Sequence, residues 1–200
     1  MSELIRRKSE SSGSVEELPP FRVLSLGDVR RSSTDSVAPS KLSSSSEDHY
    51  SEKKLETERL RFTRRLVSLI QEEPFEYGID TRTDAFVRAH MKRNRLLTKD
   101  WLNRLFTEYF PNIPVLVGLL RIIARLDYLD IYPQGQTMAL AALSHKDVEI
   151  LECGIRAFEN WETIDSLKVL ENLKVSTAWL QEYVDKVVLY LRKEHNASAR

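Results

Sequence analysis

The chain has 200 residues, and its 30 Lys and Arg balance 30 Asp and Glu, so it carries no formal net charge at pH 7. That balance disfavours a general nucleic-acid binder, which shows a basic excess. A single Cys excludes a disulfide framework and any Cys-based zinc site, and no run approaches the ~18 apolar residues of a membrane span.

Residues 1–50 hold 14 of the Ser residues, whereas the remaining 150 hold 6. Pro19, Pro20 and Pro39 fall here, with a single Phe21 and a single Tyr50. So little apolar surface cannot offset the entropy of ordering, and the composition predicts a disordered tail. The apolar run Phe21-Arg22-Val23-Leu24-Ser25-Leu26 interrupts it, with the form of a short docking motif. Arg6-Arg7-Lys8-Ser9 and Arg30-Arg31-Ser32-Ser33 place basic residues just before Ser9, Ser32 and Ser33. These are candidate sites for a basophilic kinase, where each phosphate adds about −1.5 to −2 charges. No apolar stretch follows the charged start Met1–Lys8, so no secretory leader is read and a cytoplasmic, reducing setting is expected.

From residue 53 the apolar period is helical. Leu55, Phe62, Leu66, Leu69 and Ile70 form one stripe, with Arg61, Arg64 and Arg65 on the other face, and Pro74 with Glu76-Tyr77-Gly78 reads as a stop and turn. A second helix is expected from about Asp80 to Leu97, with Phe86, Val87, His90, Met91 and Leu97 inward. Thr98 then reads as the N-cap of a third helix bearing Trp101, Leu102, Leu105, Phe106, Tyr109 and Phe110. The stretch from Pro114 to about Leu129 is apolar almost all round and is expected in a central layer. Further helices are expected over residues 136–143, 148–161, 165–173 and 176–192; no segment alternates with the period of a strand.

The C-terminal half repeats. Offsets of 32 and then 29 bring Leu119, Ile123, Leu126 and Leu129 onto Leu151, Ile155, Phe158 and Trp161, and then onto Leu180, Val184, Val187 and Tyr190. An offset of 30 brings Thr137, Leu140 and Leu143 onto Leu167, Leu170 and Leu173. The unit is a pair of antiparallel helices that must stack on a neighbour to bury its apolar face. Within it, Asp147-Val148 and Gly154-Ile155-Arg156-Ala157 resemble the HEAT-like repeat of the short, phycobilisome-lyase type. The Gly-Asp turn usual in that repeat is replaced here by Asn160-Trp161-Glu162-Thr163. The resemblance covers about residues 114–194 and implies an α-solenoid that binds other proteins. A chromophore-handling lyase, as some relatives are, would call for a second Cys or clustered His, which the sequence lacks.

Catalytic and metal-binding signals are sparse. His49, His90, His145 and His195 show no i, i+3 or i+4 pair, Cys153 reads as a small buried hydrophobe, and the Gly residues form no phosphate loop. No cofactor is expected. Charge is nonetheless uneven: residues 59–104 carry 11 Lys and Arg against 6 Asp and Glu, whereas residues 105–200 carry 10 against 13. Arg88, Lys92, Arg95 and Lys99 are spaced four, three and four apart, which on a single helix makes a basic stripe flanked by Arg82 and Arg93. Trp179, near the start of its helix, is a candidate aromatic anchor. The expected organisation is all-α: a disordered tail (1–50), a helical region with the basic helix (51–110) and a HEAT-like solenoid (111–200). The expected function is a non-enzymatic adaptor or regulatory subunit with a protein partner. The alternative is a protein that binds nucleic acid or an anionic surface through the stripe.

Overall fold

The computed structural model describes residues 44–73 and 79–198, which belong to one unit, Leu42–Arg200. The expected tail features (the run at 21–26, Ser9, Ser32 and Ser33) and the turn at 74–78 lie outside the described residues. Among the described residues there are nine helices and no strand, so this part of the chain is all-α. No helix among these residues is long and apolar enough to cross a membrane.

The first helix, α1 (Ser44–Glu72), starts inside the segment read as tail. A Ser-rich stretch is a weak helix former, but here it extends a helix anchored further on by buried Phe62, Leu66, Leu69 and Ile70. Leu55, expected on that stripe, is exposed, because the face that packs begins about two turns later.

The helix expected over 80–97 is two helices: α2 (Arg82–Arg93) and α3 (Arg95–Glu108) meet at Asn94. Asn94 is extended; its backbone N–H donates to the His90 carbonyl and closes α2, while its side chain accepts from the Leu97 amide and opens α3. Thr98 is therefore not the cap. Its hydroxyl instead donates to the Asn94 carbonyl at 2.7 Å.

Asn112 caps α4 (Ile113–Ala124), with a Pro in the first turn. Its Val115–Leu120 run and Ile122–Ala124 are all buried, as a helix apolar on every side requires. α4 packs against α1, α2, α3 and, most extensively, α7. It stops well before Leu129 because Asp127 caps a separate short helix, α5 (Tyr128–Ile131), through the Leu129 amide.

The remaining elements are α6 (Gln134–Leu143), α7 (Val148–Trp161), α8 (Ile164–Leu170) and α9 (Ala178–Ser198). α7 has the limits expected from sequence; Asp147 accepts from the Glu149 and Ile150 amides at its start. At its end Glu162 takes the left-handed conformation, φ 49°, that a Gly supplies more easily. α6 packs on α7, α8 on α9, and α7 also touches α9.

The repeated apolar positions follow this packing in part. The first three positions of each set are buried or half-buried, on α4 and just past its end at Leu126, on α7 and on α9. The fourth is not equivalent: Leu129 lies on α5 and is exposed, Trp161 is buried, and Tyr190 is exposed. On α6 the inward residues are Met138, Ala139 and Ala142, whereas Leu140 is exposed, so the offset of 30 does not hold there. The cause is the closeness of α6 to α7. A Cβ on Gly154 would lie 3.0 Å from the Ala139 carbonyl oxygen and 3.1 Å from Ala142 Cβ, so only small residues fit the crossing.

Gly118 serves the same purpose between α4 and α1: a Cβ there would lie 2.4 Å from Ile70 Cγ2. Gly118→Ala is expected to cost about 1–3 kcal/mol through overpacking. Combined with Ile70→Ala, it should cost less than the sum of the two single changes in urea unfolding. Additive costs would show that the two residues do not oppose each other.

Candidate cleft between the first three helices

Three polar clusters tie α1 to α3, the end of α1 to α2, and α2 to the end of α4. Arg59, buried on α1, pairs with Glu56 at 2.7 Å and with Glu108 at the end of α3 at 2.8 Å. Thr81 and Asp84 form a capping box at the start of α2. Asp84, also buried, accepts from Arg125 at 2.6 Å, and the same guanidinium nitrogen donates to the Ile79 carbonyl at 2.9 Å.

The third cluster is Glu73, just past α1. It accepts from the Thr83 amide at 3.0 Å, the Thr83 hydroxyl at 2.6 Å and Arg82 at 2.6 Å. A carboxylate at the first turn of α2 also meets the positive end of that helix dipole. Burial acts to raise the Glu73 pKa, but the hydrogen bonds from Thr83 and Arg82 outweigh it and hold the group at about 2.

These ties leave a cleft of about 550 Å³ between α1, α2 and α3. Phe62 and Trp101 lie buried beneath it, their ring centroids 5.3 Å apart. Phe86 and His90, one turn apart on α2, line it half-buried with centroids 4.4 Å apart, and both rings contact Phe62. His90 Nδ1 lies 2.9 Å from the Phe86 carbonyl oxygen and donates to it, since a carbonyl only accepts. Exposed Arg61, Arg65 and Arg93 also line the cleft, together with Glu58. None of these three arginines hydrogen-bonds or ion-pairs with a described residue, in contrast to Arg59, Arg82, Arg88 and Arg125.

The expected basic stripe is not a single surface. The break at Asn94 puts Arg88 and Lys92 on α2 but Arg95 and Lys99 on α3. Arg88 forms a forked pair with Asp80 at 2.6 and 3.1 Å. Arg95 pairs with Asp130. Lys99 is buried, and its ammonium donates to the Tyr132 carbonyl at 2.7 Å. Lys92 alone of the four is exposed with no partner among the described residues. Trp179 is exposed on the first turn of α9, away from the lining of the cleft.

The cleft arginines were visible in sequence only as the outer face of α1 and a flank of the stripe. The Phe86–His90 spacing was a usable signal, because two rings four residues apart on a helix share a face. Cys153 is buried, as expected, and burial pushes its thiol up to about 11. Among the described residues no group of His, Cys, Asp and Glu is placed to hold a metal ion. Compared with protein-family models, curated proteins and solved structures, the chain finds no match.

Glu73 gives a pH signature. Its pKa is lower in the folded chain than the ordinary 4.5, so the unfolded chain takes up the proton first as pH falls. The stability it contributes is complete above about pH 5 and is lost as the pH drops toward about 2. Glu73→Gln should lower Tm at neutral pH, and the gap to the parent should shrink steadily below about pH 5. A gap that stays constant with pH would assign the effect to shape and not to charge.

Proposed function

We propose that the chain is a non-enzymatic interaction module, an adaptor or regulatory subunit, whose helices stack as a short HEAT-like solenoid and whose α1–α3 cleft receives an acidic segment of a partner protein. The observation that carries this is the cleft itself: three guanidiniums without partners among the described residues, set around a half-buried aromatic wall. An arginine not committed to a carboxylate of its own chain keeps its donors for a ligand. The aromatic wall supplies the apolar contact that turns charge attraction into a localised site.

The stacking part of the proposal is supported by the packing of α6 on α7 and of α8 on α9, with α4, α7 and α9 successively in contact. A cytoplasmic setting belongs to the same proposal, on the single buried thiol. The alternative, a nucleic-acid or anionic-surface binder using residues 88–99, is weakened because Arg88, Arg95 and Lys99 are each engaged within the chain.

A labelled peptide rich in Glu and Phe, titrated against the full chain, tests the reading. Its binding is expected to weaken about tenfold or more in an Arg61→Glu, Arg65→Glu double variant, the loss of one charge-assisted hydrogen bond being enough for that factor. Binding that is indifferent to the double variant would reject the cleft as the site. Tighter, steeply salt-dependent binding of a single-stranded oligonucleotide would favour the alternative.

A further inference from the structure

Resting on the reading of the cleft as a site for a partner segment, we infer that its preferred occupant is a phosphotyrosine side chain on the partner protein. Charge is the first argument. Arg61, Arg65 and Arg93 with Glu58 give the lining a net charge of +2 when His90 is neutral. A phosphate monoester brings about −1.5 to −2, whereas a carboxylate side chain brings a single charge. Guanidinium forks also match phosphate oxygens in pairs.

Shape is the second argument. The anion-binding groups surround aromatic side chains: Phe86 and His90 line the cleft above buried Phe62 and Trp101, with Leu97 beside them. A phenyl ring carried by the ligand can contact those faces while its phosphate reaches the arginines, and ring–ring contact adds to the area it buries. Phosphoserine has no ring to place there, and Glu has neither the ring nor the second charge. A cleft of about 550 Å³ falls in the size range of sites that enclose one such group with its neighbours.

Separation of the arginines along the chain is the third. Arg61 and Arg65 come from successive turns of α1, and Arg93 from the last turn of α2. The Glu73 and Asp84 clusters that anchor α2 hold these two sources of charge on one cleft. A ligand that bridges them gains from both elements at once.

The test uses fluorescence anisotropy of one labelled peptide in three forms, bearing tyrosine, phosphotyrosine or phosphoserine at the same position, with the full chain. The phosphotyrosine form is expected to bind at least about tenfold tighter than either of the others. Arg61→Glu with Arg65→Glu should abolish that preference, and Arg65→Lys, which keeps charge but loses the fork, should reduce it. Adenosine monophosphate serves as competitor for the mononucleotide source of the same chemistry. Equal binding of the tyrosine or phosphoserine form, preference unchanged in the double variant, or displacement by adenosine monophosphate at concentrations below those of the free phosphotyrosine peptide would each overturn the inference. Loss of all three peptides alongside retained binding of the Glu- and Phe-rich peptide would overturn this inference and leave the broader reading intact. Failure of both kinds of peptide would remove both.

Discussion

α4 sets the terms for the rest of the structure. Its apolar side chains point in every direction, and they leave water only if neighbours surround the whole helix. Each Leu, Ile or Val taken fully out of solvent is worth about 1.5–3 kcal/mol, and Val115, Leu116, Leu119, Leu120, Ile122 and Ile123 are all completely buried. Five helices meet that demand: α1, α2 and α3 from one side of the chain, α6 and α7 from the other. The regions 51–110 and 111–200 therefore share one core, and at Gly118 a Cβ would lie 2.4 Å from Ile70 Cγ2 of α1.

Once the core is enclosed, polar groups decide how each helix enters and leaves it. Thr81, Asn94, Asn112, Asp127, Asp147 and Thr163 each accept from a backbone amide at a helix start, which fixes where the chain turns. Glu73 then ties the end of α1 to α2, Asp84 ties α2 to the end of α4, and Arg59 ties α1 to the end of α3. The arginines thereby divide into two groups. Arg59, Arg82, Arg88 and Arg125 are used to hold elements together, and Arg61, Arg65 and Arg93 remain on the cleft that the tied helices create. Site and scaffold are linked: the cleft has its shape because the first group is paired, and its charge because the second is not.

Much of the helical layout was legible residue by residue. The start of α7 follows from Asp147 before its apolar period, and the burial of α4 follows from its composition alone. The break at Asn94 was harder, because Asn and Thr are both good cap residues; in the structure the Asn94 side chain accepts from the Leu97 amide while the Thr98 hydroxyl donates to the Asn94 carbonyl. The repeat was legible on α4, α7 and α9, where large apolar residues meet. It was not legible on α6, where the crossing at Gly154 turns Ala139 and Ala142 inward and Leu140 outward. Hydrophobic period reports which face is apolar, and a close crossing of backbones can prefer the small face over the greasy one.

By itself the sequence determined an all-helical body, the helix that must lie at its centre, and the excess of positive charge between residues 59 and 104. These depend on local period and on composition, which neighbours in the chain suffice to define. Only the tertiary structure decided which of those positive charges are spent inside the molecule. Arg95 finds Asp130 across 35 positions and Lys99 finds the Tyr132 carbonyl across 33, while Arg61, Arg65 and Arg93 line one cleft with rings drawn from three helices. Such pairings depend on distances set by packing, and sequence spacing does not encode them.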